Sequence, residues 1–319
     1  MRPGSEGAVR DGRGAGRFAP SPSGDLHIGN IRSGLLAYVR ARQTGRRFLW
    51  RIEDLDRVRD GAAESQLAVF SELGVVPDEE PLVQSRRLEY YAAAIDHLAE
   101  AGLVFECYCS RKDIAEAPSA PHAPPGAYPG TCRSLGKEER ARRRAHLDEL
   151  GRAPALRLRT DNAEHLVDDE LLGEIAAPVD DFVLRRGDGV FAYNLTVVVD
   201  DAASGIDEVV RGDDLASSAP RQAYLARLLG VIGPGWLHVP LVLNSTGQRL
   251  AKRDGAVTYQ QLREFGWTIP DVFGWMQSSL GFAGSAQPRW RNVEDMVEGI
   301  DFGLIDAEPT VFVPPNGDR

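Results

Sequence analysis

The chain has 319 residues, 43% hydrophobic and 26% charged, the balance of an ordinary globular protein, which excludes disordered and collagen-like classes. Thirty-seven basic against 47 acidic side chains give a formal net charge of −10 at pH 7; that excludes a general electrostatic grip on nucleic acid and leaves room only for a local basic groove. No apolar run approaches the ~20 residues that cross a bilayer, and no apolar core follows the N-terminus, so an untargeted cytoplasmic protein without a membrane partner is expected.

Residues 1–15 are rich in glycine, mixed in charge and without periodicity, and read as a leader lacking order. Residues 17–19 then read as a short strand, 28–42 as an amphipathic helix and 47–53 as a buried strand, which together make a βαβ unit. Helical spacing returns over 62–73 and 88–101, and 103–108 reads as a further strand of a parallel sheet. The stretch 115–130, crowded with proline, alanine and glycine, cannot hold a helix or a central strand and marks an insertion. A charged helix follows at 137–150, carrying Arg140, Arg142, Arg143 and Arg144, and then a strand at 156–159. The sheet pattern resumes at 181–185 and 193–200, with a helix near 219–229 and a strand at 237–243. The remainder turns mostly helical, with Trp267, Trp275 and Trp290 as packing anchors. The expected fold is α/β with a Rossmann-type parallel sheet, its halves at 16–106 and 181–254. An insertion at 107–180 separates the halves, and a short helical region, 255–319, follows them.

Chemistry concentrates in two segments. The first runs Arg17-Phe-Ala-Pro-Ser-Pro-Ser-Gly-Asp-Leu-His27-Ile-Gly29-Asn30, between the first strand and the first long helix. In an open α/β sheet that loop faces the ligand crevice, and the helix behind it offers unpaired N–H groups to a phosphate. Pro20 and Pro22 stiffen the loop, while Gly24 and Gly29 let the backbone approach a ligand. The second segment is Arg249-Leu-Ala-Lys252-Arg253, with three cations in five positions. Positioned cations stabilise the charge that develops on an α-phosphate and on departing pyrophosphate.

In this order the two segments resemble the two ATP motifs of the class I aminoacyl-tRNA synthetases, specifically the glutamyl branch. Arg51-Ile-Glu53-Asp54-Leu-Asp56, Tyr193-Asn194 through Asp200-Asp201, and Val210-Arg211-Gly-Asp213-Asp214 are similar to glutamyl-type stretches in the same order, over residues 16–260. The resemblance implies an ATP-dependent ligase with a class I catalytic domain. It assigns Arg17, Phe18, Ala19, Pro20, Ser21 and Glu53 to the glutamate site, with Tyr193 hydrogen-bonding the substrate and Arg211 pairing with its carboxylate. It assigns His27, Gly29, Asn30, Arg249 and Lys252 to ATP, with His27 and Lys252 stabilising the phosphates. Read as bare residues, Glu53 and Arg211 could equally pair with each other, and Tyr193 could be core. The chemistry fits the implied ligand: an ammonium needs a carboxylate, a side-chain carboxylate needs guanidinium groups, and glutamine would be rejected by roughly 10⁴ or more. No general base is needed, because the attacking carboxylate is ionised at pH 7 and Mg²⁺ accompanies the ATP. Arg249 and Ala251 depart from the more common lysine and serine of the second motif, which touches how tightly the loop closes.

Three cysteines are too few, and odd in number, for a disulfide framework. Cys107, Cys109 and Cys132 could converge on one structural Zn²⁺, for which bare chemistry offers His122 as the fourth ligand. Tyr128-Pro-Gly-Thr-Cys132 instead resembles the Tyr-x₃-Cys half-site of the glutamyl-queuosine branch, which implies Tyr128 as that ligand. About 65 residues follow the second ATP motif, where complete glutamyl-tRNA synthetases carry a large anticodon-binding region. The branch implies a monomer that activates L-glutamate with ATP without needing tRNA, then transfers it to the queuosine base in the anticodon stem-loop of tRNA(Asp). Arg140 to Arg144, or Arg46 and Arg47, are candidate RNA contacts. Two alternatives stay open at this point: a truncated glutamyl-tRNA synthetase charging the 3′ end of tRNA(Glu), and a non-catalytic sensor of glutamate or ATP.

Overall fold

The computed structural model describes residues 13–116, 128–250, 257–282, 284 and 288–314. It opens with β1 (Ala15–Phe18), α1 (Ile28–Gln43) and β2 (Arg47–Ile52). Helix α1 buries Ile28, Ile31, Leu35 and Val39 on one stripe and keeps Arg40 and Arg42 in its last turn, where they complement the helix dipole. Next come α2 (Ala62–Glu72), β3 (Leu82–Val83), α3 (Leu88–Glu100) and β4 (Val104–Cys107), then α4 (Arg111–Glu116), α5 (Lys137–Glu149) and β5 (Ala155–Leu158). A hairpin of β6 (Glu164–Asp169) and β7 (Gly173–Pro178) precedes β8 (Val183–Arg185), α6 (Tyr193–Ser204), β9 (Glu208–Gly212), α7 (Ala219–Leu228) and β10 (Gly235–Val239). The chain closes with β11 (Val242–Leu243), α8 (Tyr259–Glu264), α9 (Ile269–Ser279), α10 (Val293–Gly299) and β12 (Thr310–Val311).

Strands β1, β2 and β3 pair in parallel, as do β9, β10 and β6, with β7 antiparallel on the outer edge of β6. A parallel bridge from Ala15 to Ile206, with the Asp207 amide donating to the Ala15 carbonyl at 3.1 Å, joins β1 to the start of β9. Read across, the order is β3, β2, β1, β9, β10, β6, β7. The order reverses direction between β1 and β9, and their carboxyl ends open the crevice where open α/β sheets bind ligands.

Three sequence expectations are corrected here. Strands β4, β5 and β8 form their own antiparallel sheet, so 103–108 and 181–185 do not extend the parallel one. In β4 only Phe105 and Cys107 are buried, the alternation of a half-covered antiparallel strand. Residues 193–200 are helical, belonging to α6. Thr196, Val197 and Val198 favour a strand by propensity, but the helix buries all three beside Leu195 and ends on Gly205 at φ 71°, and that packing outweighs propensity. The strand expected at 237–243 breaks at Pro240 into β10 and β11, because proline has no N–H to give a ladder.

The largest core lies under α1 and contains Phe48, Trp50 and Phe70 from the N-terminal half together with Leu262, Phe273, Met276 and Trp290 from the C-terminal helices. Trp267 and Trp275 both stand edge-on to Phe312, at 6.1 and 5.4 Å. Gly34 lets α1 close onto α2, since a Cβ there would lie 2.3 Å from the Phe70 ring. Arg32, 1% exposed, reaches from α1 to the Ser279 carbonyl at 3.1 Å, the Thr310 hydroxyl at 3.2 Å and the Pro240 carbonyl. Burial pulls its guanidinium down to about 10, only partly opposed by the charge of Asp213. Among the described residues, no helix is long and apolar enough to cross a membrane.

Candidate active site

A cavity of about 820 Å³ opens at the carboxyl ends of β1 and β9. Arg17, Phe18, Ala19, Pro20, Ser21, Glu53, Tyr193 and Arg211 all line it, as do His27, Gly29, Asn30 and Arg249. The sequence segments around positions 20, 53, 193, 211 and 249 are thus brought to one place. Ala251, Lys252 and Arg253 of the second cationic segment lie outside the described residues, as does His122.

The loop from β1 to α1 is held from several sides. The Gln66 amide donates to the carbonyls of Ser21 at 3.2 Å and Gly24 at 2.8 Å, and the Glu53 and Arg59 amides donate to Pro20 and Pro22. Gly24 sits at φ 138°, a conformation that favours glycine. His27 is the N-cap of α1: its Nδ1 accepts the Asn30 amide at 3.2 Å, while the Asn30 side-chain oxygen accepts the His27 amide at 3.4 Å. This reciprocal cap satisfies two helix-end donors. It also fixes Nδ1 as an acceptor, so the neutral ring carries its proton on Nε2. Gly29 is needed for the fit, because a Cβ would press on the His27 ring at 3.2 Å and on Val242 at 3.3 Å. No acidic side chain occupies the first turn of α1, so its N-terminal field is left for an anion. Arg249, bridged to Leu243 of β11, reaches the same mouth and pairs with Asp214.

Charges beneath the cavity sort into two groups. Asp201 of α6 accepts from Arg17 Nε at 3.2 Å and from Arg51. Burial pushes its carboxyl up, but Arg17 and Arg51 outweigh burial and hold it below the ordinary range. Glu53 accepts from Arg51 Nη2 at 3.1 Å, not from Arg211. Burial raises its carboxyl despite that partner. Arg211 differs. It is 6% exposed, its ordinary pKa is lowered by burial, and among the described residues it has no ion pair with a carboxylate. Its partners are neutral: His238 Nε2 at 3.0 Å, the Tyr193 hydroxyl at 3.3 Å, the Gln222 side-chain oxygen at 2.9 Å and the Leu215 carbonyl at 3.1 Å. A buried cation is costly unless an anion joins it, and the cavity is the side from which one can come. His238, Asp169, Gln222 and Gln66 carried no signal in sequence, since each acts through a partner 11 to 69 positions away.

The cysteines meet where their spacing placed them. The sulfurs of Cys107, Cys109 and Cys132 lie within 4.8 Å of one another. The Tyr128 hydroxyl is 3.4 Å from Cys107 Sγ and accepts the Cys132 amide at 2.8 Å. A tetrahedral ion with ligands at ~2.3 Å spaces them roughly 3.8 Å apart, so three thiols and this phenol can hold a metal. The arginines considered for RNA are all engaged within the protein: Arg142 and Arg143 with Glu139, Arg144 with Glu106, Arg140 with the Leu135 carbonyl, Arg46 with Asp207, and the largely buried Arg47 with Glu79.

Comparison with known proteins bears on family and fold. Residues 15–274 match the model of the family described as tRNA synthetases class I (E and Q), catalytic domain. The chain is 58% identical to the glutamyl-Q tRNA(Asp) synthetase of Nocardia farcinica over 94% of its own length and 93% of the relative's. It is 44% identical to the protein of that name from Nitratidesulfovibrio vulgaris, over 93% and 94%. In fold it is similar to the glutamate tRNA ligase of Elizabethkingia meningosepticum, with a TM-score of 0.77 and 24% identity, covering 95% of this chain and 67% of that one. With its Rossmann-type sheet and the crevice between β1 and β9, the chain belongs to the class I (E and Q) tRNA synthetases, an enzyme family of ligases, and within it to the group of the glutamyl-Q tRNA(Asp) synthetases.

Proposed function

We propose that the enzyme condenses L-glutamate with ATP, without needing tRNA, to glutamyl-adenylate and pyrophosphate. It then passes the glutamyl group to the queuosine base in the anticodon stem-loop of tRNA(Asp), releasing AMP. The observation that carries the glutamate half is Arg211, a buried cation on the cavity wall with only neutral partners among the described residues. A substrate side-chain carboxylate supplies its missing anion, and a glutamine amide does not. Tyr193, already bonded to Arg211, adds a hydroxyl to the same ligand group. Glu53 is the acid within reach of a substrate ammonium, with Arg17 through Ser21 beside it on the cavity wall, the Glu53 amide donating to the Pro20 carbonyl.

The attacking α-carboxylate needs no base, so catalysis is positioning plus charge stabilisation at phosphorus. The phosphates are placed beside His27 and Gly29 at the N-terminus of α1, where the cavity meets the helix field that favours an anion. Arg249, and Lys252 by its motif, supply cations for pyrophosphate as it leaves; Mg²⁺ bound with ATP would add charge stabilisation there. The names of the relatives support the queuosine of tRNA(Asp) as acceptor. The enzyme is read as a cytoplasmic monomer, with the arginines of α5 or those flanking β2 as its RNA contacts.

The test is transfer of labelled glutamate, with ATP and Mg²⁺, to tRNA pools from cells with and without queuosine. Label confined to the queuosine-containing pool is expected. Equal label on both pools would replace this reading with charging of tRNA(Glu), and label on neither, without pyrophosphate exchange, would leave a sensor. For the metal we assign a structural zinc held by Cys107, Cys109, Tyr128 and Cys132. Elemental analysis of protein never exposed to chelator is expected to give about one equivalent; less than about half would count against the site.

A further inference from the structure

Behind Arg211 lies a buried chain that the reaction does not touch. Arg211 on β9 stands in register with His238 on β10, and Asp169 ends the neighbouring strand β6. The side chains of Asp169 and His238 are fully buried, and His238 Nδ1 lies 2.6 Å from Asp169 Oδ2. Arg211 Nε donates to His238 Nε2 at 3.0 Å. Trp236, two residues back on β10, stacks on the His238 ring at 5.9 Å and lies under the Arg211 guanidinium at 4.7 Å.

The proton positions follow from donor counting. Arginine only donates, so His238 Nε2 must be the acceptor; an ionised carboxylate only accepts, so Nδ1 must carry the hydrogen. Asp169 is fixed in turn. Its Oδ1 accepts the Leu171 amide at 3.1 Å and the Leu172 amide at 2.9 Å, and its Oδ2 accepts the His238 amide at 3.0 Å. Of the five guanidinium hydrogens of Arg211, four go to His238, Tyr193, Gln222 and Leu215. One Nη2 hydrogen is left.

We propose that Asp169 and His238 are positioning residues that set amino-acid specificity: Asp169 fixes the His238 tautomer, and His238 Nε2 fixes the plane of Arg211 so that its remaining edge meets a carboxylate. This rests on the reading of Arg211 as the glutamate-binding cation.

Asp169→Asn tests this with almost no change in shape. The two loop amides keep the asparagine oxygen at the Oδ1 position, where the His238 amide, already 3.3 Å from Oδ1, must also turn because the NH₂ replaces its Oδ2 acceptor; the NH₂ then stands against His238 Nδ1. The ring must then carry its hydrogen on Nε2, where it meets Arg211 Nε–H donor to donor. In full-length protein, ¹⁵N shifts of the histidine ring are expected to report Nδ1–H in the parent and Nε2–H in the variant. In pyrophosphate exchange, the glutamate KM should rise ~10- to 100-fold and glutamine rejection should fall, with the ATP KM within about twofold. His238→Gln offers an amide oxygen to Arg211 but has no tautomer, so adding Asp169→Asn to it should change the glutamate KM less than about threefold. Nε2–H in the parent overturns the proposal. So does Asp169→Asn with a flipped tautomer and parental glutamate selection, or an effect undiminished in the His238→Gln background. If Asp169→Asn does not fold, His238→Leu, which has no acceptor, must lose more glutamate selection than His238→Gln; equal loss overturns the proposal. A parent without glutamate-dependent exchange would sink the functional reading instead, and the ring nitrogen shifts still decide the relay.

Discussion

Arg211→Ala is expected to raise the glutamate KM by roughly 30- to 1,000-fold, the ~2–4 kcal/mol typical of truncating one member of a buried charge pair. The loss has two sources. The substrate carboxylate would enter a desolvated cavity without its cation, and Tyr193, Gln222 and the Leu215 carbonyl would lose the donor that orients them. With ATP at the other edge, as proposed, by the His27 cap and the first turn of α1, its KM should stay within a few-fold of the parent. Arg211→Lys keeps the charge but not the fork, and should fall between parent and alanine variant. Pyrophosphate exchange at varied glutamate, glutamine and ATP decides the matter. Unchanged glutamate KM and unchanged rejection of glutamine would remove Arg211 from the pocket.

Asp201→Asn should cost about 3–5 kcal/mol of folding stability, because it leaves Arg17 and Arg51 buried without the carboxylate that both address. Urea unfolding of parent and variant would measure it. The pH dependence has a definite sign. Burial raises the Asp201 carboxyl, and Arg17 and Arg51 more than reverse that, so its folded pKa lies below the ordinary 3.8. Its stabilisation is therefore complete above the unfolded value and is lost as pH falls through the lower, folded one. The gap between parent and variant should be constant near neutrality and close only in that acidic window. A gap below about 1 kcal/mol at pH 7 would show that the two arginines find other partners.

Much of the crevice was legible because it is written locally. Residues 17–30 spell strand, stiff loop and helix start in one continuous stretch, and the periodicity of α1 and β2 follows directly, whereas the His27–Asn30 cap shows only in the structure. The cysteine spacing likewise announced its convergence, while Tyr128 came from resemblance rather than from chemistry, which favoured His122. What stayed hidden depends on distant neighbours. The valines of α6 point to a strand until the core around Leu195 and Leu225 is known. Strand β6 lacks a clean apolar alternation, with Leu166 56% exposed, so the hairpin that carries Asp169 gave no signal. His238 looks like any strand residue until β6 and β9 flank it.

The strand order carries a consequence for how the enzyme is made. Strand β1 ends at Phe18, and the strand that covers its open side, β9, begins at Glu208. At ~5–20 residues per second of synthesis, β1 waits about 10–40 s with one edge unpaired while the antiparallel β4–β5–β8 unit can already close. An exposed edge beside Phe48 and Trp50 is a template for wrong pairing, and parallel pairing across such a span is slow. Yield of active enzyme should therefore depend on translation speed and on chaperones that shield nascent chains, even though the finished protein holds β1 at the centre of its sheet.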